Sequence, residues 1–314
     1  MAVETFHTLI ARNKRNTILL IILFSIFFVG LGLLIGYVWG SGQVAFIVTT
    51  AVAAGAIAFF LTLISYFGGS SVLLGLSRAR EVKKAEDPQL FNVVEELCLA
   101  GGLPMPRIYL IDDPAMNAFA TGRNPAHATV AVTTGLRQKL TRDELQGVMA
   151  HELSHVRYYD ILFATLIAVM VGVLVILCDI FLRSLWFGGG RRRSRSSSEG
   201  GGGGAIMLVV MIIALVLAII SPILARIIQM AISRQREYLA DAGSVELTRN
   251  PTGLANALAK LAGDDQEVLE VANRATAPLY IVHPIKQFEE RSKSIFDTHP
   301  SIADRIKRLM AIGA

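Results

Sequence analysis

From Asn16 to Ser77 the chain carries no Asp, Glu, Lys or Arg, and the run is interrupted only by the turn-like Gly40-Ser41-Gly42-Gln43. A membrane crossing needs about 20 apolar residues, so this run predicts two spanning helices joined by a tight turn. Ile161 to Cys178 and Gly200 to Ala225 are also free of charge and supply a third and a fourth apolar segment. The polar blocks left over, 78–160 and 226–314, together have the mass of one globular domain. The expected organisation has four parts. Residues 1–77 form an N-terminal tail and two transmembrane helices, and 78–160 form the first half of a soluble domain. Residues 161–225 form two further hydrophobic helices with an Arg/Ser/Gly connector at 183–204, and 226–314 complete the domain.

Within the polar blocks, a helical run from Pro88 to Ala100 leads through Gly101-Gly102 to two β-type runs, Arg107 to Ile111 and Ala128 to Thr133. Their Gly and Asn punctuation predicts a small hairpin-like sheet. Thr141-Arg-Asp-Glu144 has the form of a capping box, which marks a helix start. No Gly or Pro follows from Val148 to Val171, so one continuous helix is expected to run from the soluble block into the third apolar segment. The fourth segment mirrors it, with Pro222 as a kink before Ile223 to Asp241. The fold class is mainly α with a small β-sheet, on a polytopic helical membrane protein.

Composition agrees with this and removes other classes. The chain is 53% hydrophobic and only 18% charged, with a mean hydropathy of +0.52, which excludes disorder, collagen and a secreted disulfide scaffold. Its two cysteines, Cys98 and Cys178, make no disulfide framework and are expected to be reduced. The net charge of +5 is accounted for by juxtamembrane arginines rather than a nucleic-acid groove. Arg12, Lys14 and Arg15 before an apolar run imitate a signal peptide, but the long run leading into a second span reads as an uncleaved anchor.

The chemistry lies in His151-Glu152-Leu153-Ser154-His155, on the capped helix. Residues four apart on a helix share a face, so both imidazoles can reach one ion, and Glu152 beside them can deprotonate a water at its open position. A catalytic zinc generally has three protein ligands. Arg234-Gln-Arg-Glu237-Tyr-Leu-Ala-Asp241 offers two carboxylates four apart: Glu237 as the third ligand and Asp241 as acceptor from a ligating imidazole. The bland alternatives are a helix face with surface histidines and a solvated acidic pair among arginines. The two patterns together favour one zinc ion per chain.

These segments, with Asn117-Ala-Phe-Ala120 and Thr298-His299-Pro300-Ser301 followed by Arg305, resemble the HtpX family, membrane zinc metalloproteases related to the type I CAAX prenyl endopeptidases. The resemblance covers essentially the whole chain; the Arg/Ser/Gly connector departs from it. It implies a gluzincin-like domain, catalysis on the cytosolic side and a role in membrane-protein quality control under stress. It also implies that His299 and Arg305 lie at the substrate cleft as catalytic groups. The residues alone leave two readings open: donors to a peptide carbonyl or developing oxyanion, or an ordinary helix start with Arg305 in solvent. Asn117, Ala118, Phe119 and Ala120 are the candidate strand edge for substrate, since proteases often hold a peptide as an added strand.

Because His151, His155 and Glu237 must share one ion, the two polar blocks are expected on one side of the membrane. Positive-inside counting puts that side in the cytosol, although Arg183, Arg191, Arg192, Arg193 and Arg195 would then fall outside if the third and fourth segments cross fully. His155 lies six residues before Ile161, about 9 Å along a continuous helix, which places the metal near the headgroups. The expected function is a multi-pass cell-membrane endopeptidase that cuts cytosolic segments of damaged membrane proteins, with lipid and such proteins as partners and no nucleic acid. The alternatives are a processing protease for a lipidated or membrane-bound peptide and, from another class, a channel or transporter with an incidental metal site.

Overall fold

Two long helices open the chain, α1 (Phe6–Trp39) and α2 (Val44–Leu76), as the uncharged run predicts. Within them, Ile10–Tyr37 and Val44–Leu76 are long and apolar enough to cross a membrane. The computed structural model describes residues 6–40, 42–170, 172–173, 234–264 and 300–312. These fall into two compact units: one contains the described residues of 1–17, 65–169 and 228–314, the other those of 18–64 and 170–227. In the second unit, Gly32 and Gly36 of α1 let the α2 backbone approach closely. A Cβ at Gly36 would overlap the Thr50 hydroxyl and Ile47, and one at Gly32 would meet Ala54 and the Thr50 carbonyl. Large apolar side chains such as Ile26, Phe59 and Phe60 point outward, the arrangement lipid favours.

The first unit is built around a four-stranded sheet and a central helix. The strands are β1 (Arg80–Glu81), β2 (Arg107–Ile111), β3 (Ala118–Gly122) and β4 (Ala128–Thr133), in the order β1-β2-β4-β3. The two runs expected to pair as a hairpin, β2 and β4, are instead parallel neighbours. The hairpin partner of β4 is β3, with Phe119 opposite Ala131. The cause is burial on both faces. Ile108, Ala118, Ala120, Val130 and Val132 join the main core, whereas Ile111, Phe119 and Ala131 pack with Leu74 on the other side.

Helix α3 (Pro88–Gly101) begins at the Asp87 cap, whose carboxylate accepts from the Leu90 N–H, and ends at Gly102 with φ of 63°. A short α4 (Thr134–Lys139) follows β4. Helix α5 (Arg142–Arg157) starts at the expected capping box: Thr141 accepts from the Glu144 N–H while the Glu144 carboxylate accepts from the Thr141 N–H. It is the buried axis of the unit, packed by α3, α7 (Arg234–Thr248) and α8 (Pro251–Ala262). Two glycines set those approaches. Gly147 faces the backbone of Gly253 and Leu254 on α8, and Gly243 of α7 faces the Ser154 side chain; a Cβ at either would collide. The last described helix, α9 (Ile302–Ile312), starts at Ser301, whose hydroxyl accepts from the Asp304 N–H.

The expected continuous helix into the third apolar segment is not formed. Helix α5 stops at Arg157, Tyr159 takes a left-handed φ of 62°, and the chain resumes as α6 (Asp160–Met170) after a bend of 84°. No Gly or Pro is needed, because tertiary contacts at Asp160 decide it. On a continued helix, Asp160 would be rotated about 140° away from His155, yet in the folded chain its carboxylate turns back onto that ring. The Arg/Ser/Gly connector, Cys178, Pro222 and the fourth apolar segment lie outside the described residues. Cys98 is buried and free.

Candidate metal centre

The helical spacing of the His pair and the close packing of α7 on α5 bring three donors to one point. His151 Nε2 and His155 Nε2 are 3.2 Å apart. Glu237 Oε2 lies 3.7 Å from the first and Glu237 Oε1 3.7 Å from the second. Metal–nitrogen bonds of about 2.0–2.1 Å in a tetrahedral site require donors separated by about 3.3 Å, so the two nitrogens are spaced for a shared ion, and one ligand atom from each of the three residues lies within 4.8 Å of the others. Two imidazoles and a carboxylate leave a fourth position open. His151, Glu152 and Glu237 are buried and His155 is partly so.

Each ring is held from its other nitrogen. His151 Nδ1 lies 3.0 Å from Asp241 Oδ1, and His155 Nδ1 lies 3.1 Å from Asp160 Oδ2. A ring that donates through Nδ1 keeps the Nε2 lone pair for the metal. Asp241 in turn accepts both arms of Arg305: Nε donates to Oδ2 at 2.9 Å and Nη2 to Oδ1 at 2.7 Å. Arg305 is 1% exposed. Its Nη2 also lies 3.4 Å from both ring nitrogens of His151, and its Nη1 is 3.6 Å from Glu237 Oε2. It therefore sits inside the centre rather than in solvent.

Burial and mutual charge set the protonation states. Burial pushes the Glu152 carboxyl up to about 7, with the Glu237 charge adding to it. Burial alone would lower His155, but Asp160, Glu237 and Glu152 outweigh it and raise the ring to about 9. Burial lowers His151, helped by Arg305 and against the pull of Asp241. For Asp241 burial works upward, yet Arg305 and His151 hold the carboxyl below its ordinary range.

The Asn117 to Ala120 segment enters β3 at the edge of the sheet. The Thr133 N–H donates to the Asn117 carbonyl at 3.0 Å, so by antiparallel alternation positions 119 and 121 face β4 while 118, 120 and 122 point off the sheet. The outward N–H groups meet side chains of the chain itself. Ala118 donates to Asn117 Oδ1 at 3.0 Å and Gly122 to Thr165 Oγ1 at 3.3 Å, and Ala120 donates to Glu152. The edge strand and Glu152 are thus in direct contact. His299 lies outside the described residues. Sequence reasoning missed Asp160 and Asn13, whose Nδ2 donates to Asp160 Oδ1 at 2.6 Å; an acidic residue directly before an apolar run was the one available signal, and only for Asp160.

A His-Glu-x-x-His helix completed by a carboxylate from a second helix, on a chain with two helices able to span a membrane, defines a membrane metallopeptidase. Residues 84–312 match peptidase family M48. The chain is 43% identical over 301 residues to the Protease HtpX homolog of Lactobacillus helveticus, and 44% identical to those of Streptococcus mutans and Listeria monocytogenes. Each alignment covers 96% of this chain and 97% of the relative. The chain belongs to peptidase family M48, among its HtpX proteases. A solved structure, the crystal structure of S. mikatae Ste24p, aligns with 80% of this chain and 58% of its own length at 19% identity and a TM-score of 0.44.

Proposed function

We propose that the metal is a single zinc ion held by His151, His155 and Glu237, and that the enzyme is a multi-pass endopeptidase of the cell membrane. It cuts cytosolic segments of misfolded or damaged membrane proteins. The observation that carries the reading is the convergence of His151, His155 and Glu237, one ligand atom from each within 4.8 Å of the others, since two imidazoles and one carboxylate with an open position suit catalytic zinc. When bound, the ion supplies Lewis acidity and makes water acidic enough to attack at neutral pH. Glu152 takes the proton of the attacking water and passes it to the leaving amine. Substrate lies as an added strand against β3, where the outward carbonyls of Ala118 and Ala120 accept its N–H groups and Asn117 and Phe119 fix the strand's register. His299 is proposed as a donor toward the reacting carbonyl, and Arg305 as a donor there that first of all clamps Asp241. Arg12, Lys14 and Arg15 in the first turns of the first span, against none in the turn after it, favour a cytosolic catalytic unit.

The test is made on the purified full chain in detergent. It should hold one zinc per chain and lose hydrolysis of an unfolded protein substrate on chelation, with recovery on adding zinc back. Glu237→Ala should lower zinc occupancy, because a stable site needs three ligands. Full occupancy in that variant removes Glu237 from the ligand set.

A dependence on pH follows from His155. In the metal-free protein its ring, raised from 6.5 to about 9, carries a proton at neutrality that ligation must displace. Zinc affinity should therefore strengthen by about tenfold per pH unit from neutrality up to about pH 9 and then level off. The same proton stabilises the metal-free fold. Its contribution is fully present below pH 6.5 and is lost as pH rises through about 9. Chelator competition across this range decides it, and a flat profile excludes a protonated ring.

A further inference from the structure

Besides Asp241, a second carboxylate beside the centre belongs to neither the metal-binding residues nor the base. Asp160 is 7% exposed and is the first residue of α6, directly after the left-handed Tyr159. Its Oδ2 lies 3.1 Å from His155 Nδ1. Its Oδ1 accepts from Asn13 Nδ2 at 2.6 Å and lies 3.6 Å from Arg236 Nε. Arg236 is the neighbour of Glu237 on α7, and its guanidinium covers the Phe163 ring of α6 at 4.9 Å. Asn13 is 3% exposed and belongs to α1, three residues into the span that starts at Ile10. The same Asn13 Nδ2 donates to the Tyr158 carbonyl at 2.9 Å, one of the carbonyls that a helix end leaves without an intrahelical partner. Asn13 therefore secures both the broken end of α5 and the carboxylate that follows it.

From this geometry we propose that Asp160 is a positioning residue for the metal ligand His155, and that Asn13 of the first membrane helix holds Asp160 in place. Asp160 accepts the His155 Nδ1–H, which fixes the tautomer and points Nε2 at the ion. The carboxylate has the position to do so only because the chain turns by 84° between α5 and α6. Asn13 keeps that turn closed: its two contacts bridge the carbonyl of the residue that caps one helix and the first side chain of the next. The consequence is that α1 is more than an anchor. Its juxtamembrane turn is part of the structure that orders the metal centre, so zinc is bound tightly only when α1 is docked on the α5–α6 break.

The proposal rests on the zinc reading, and the experiment separates the two. Zinc dissociation constants are measured by chelator competition on the full-length chain in detergent, with the Co2+ absorption spectrum as a second readout of ligand geometry. A wild-type chain without a zinc site overturns both. Given a wild-type site, Asp160→Asn should weaken zinc by about ten- to a hundredfold and shift the Co2+ bands. Asn13→Ala should lose affinity in the same direction by less. Because Asn13 acts through Asp160, adding Asn13→Ala to Asp160→Asn should cost nothing further, the signature of two residues in one network. Wild-type affinity in either single variant, or losses that simply add in the double variant, overturns the proposal while leaving the zinc reading intact. If Asp160→Asn does not fold, as judged by circular dichroism, Asn13→Ala decides alone: unchanged zinc affinity with an unchanged Co2+ spectrum overturns it.

Discussion

Replacing Glu152 by Gln should leave zinc bound and reduce peptide hydrolysis by about a hundred- to ten-thousandfold, the range of a lost general base. The carboxyl is 2% exposed, and burial with the Glu237 charge lifts it to about 7. A base poised there takes a proton readily at neutral pH and returns it as readily. The amide occupies the same volume and still accepts the Ala120 N–H, but it cannot receive a proton. Because Glu152 supplies none of the three donor atoms, metal content should be unchanged. Metal analysis and a cleavage assay on one preparation decide the matter. Near-normal turnover would remove Glu152 as the base, and loss of zinc with loss of turnover would show that it orders the ligands instead.

How far the sequence announced this site follows from the range of each interaction. The His pair and Glu152 were legible because a helical period is local, and the capping box fixed where that helix begins. Glu237 and Asp241 were legible as a second pair with the same period, though not which ring Asp241 serves; it serves His151. The sequence suggests a hairpin because two strands with loop punctuation imply one. The strand that intervenes, β3, has two alanines and a glycine among its five residues and announces itself poorly, yet it lines both the sheet edge and Glu152. The break at Tyr158 and Tyr159 had no Gly or Pro to mark it. It exists because Asp160 is worth more against His155, Asn13 and Arg236 than in a continued helix, and those partners are 5, 147 and 76 residues away in the chain. Asn13, one of two asparagines among the basic residues at 12–16, carried no signal at all.

The same non-local logic changes what is expected of Arg305→Ala. From the sequence, loss of a donor to the reacting carbonyl would leave zinc and fold intact and impair catalysis alone. In the folded chain the guanidinium is 1% exposed and bidentate on Asp241, with its third nitrogen toward Glu237. Truncation takes the guanidinium from two buried carboxylates, one the proposed metal ligand Glu237 and the other Asp241, 3.0 Å from His151 Nδ1. Breaking a buried pair from one side costs about 3–5 kcal/mol, so Arg305→Ala should lower thermal stability by that amount and reduce zinc occupancy along with hydrolysis. Arg305→Lys keeps the charge but not the fork, and should recover stability more than it recovers zinc affinity, because the point charge cannot hold Asp241 in register beneath His151. Thermal unfolding with and without zinc, metal analysis and hydrolysis on the three proteins separate the roles. If Arg305→Ala melts with the wild type and holds a full zinc while hydrolysis falls, the clamp on Asp241 is dispensable and Arg305 acts on the substrate.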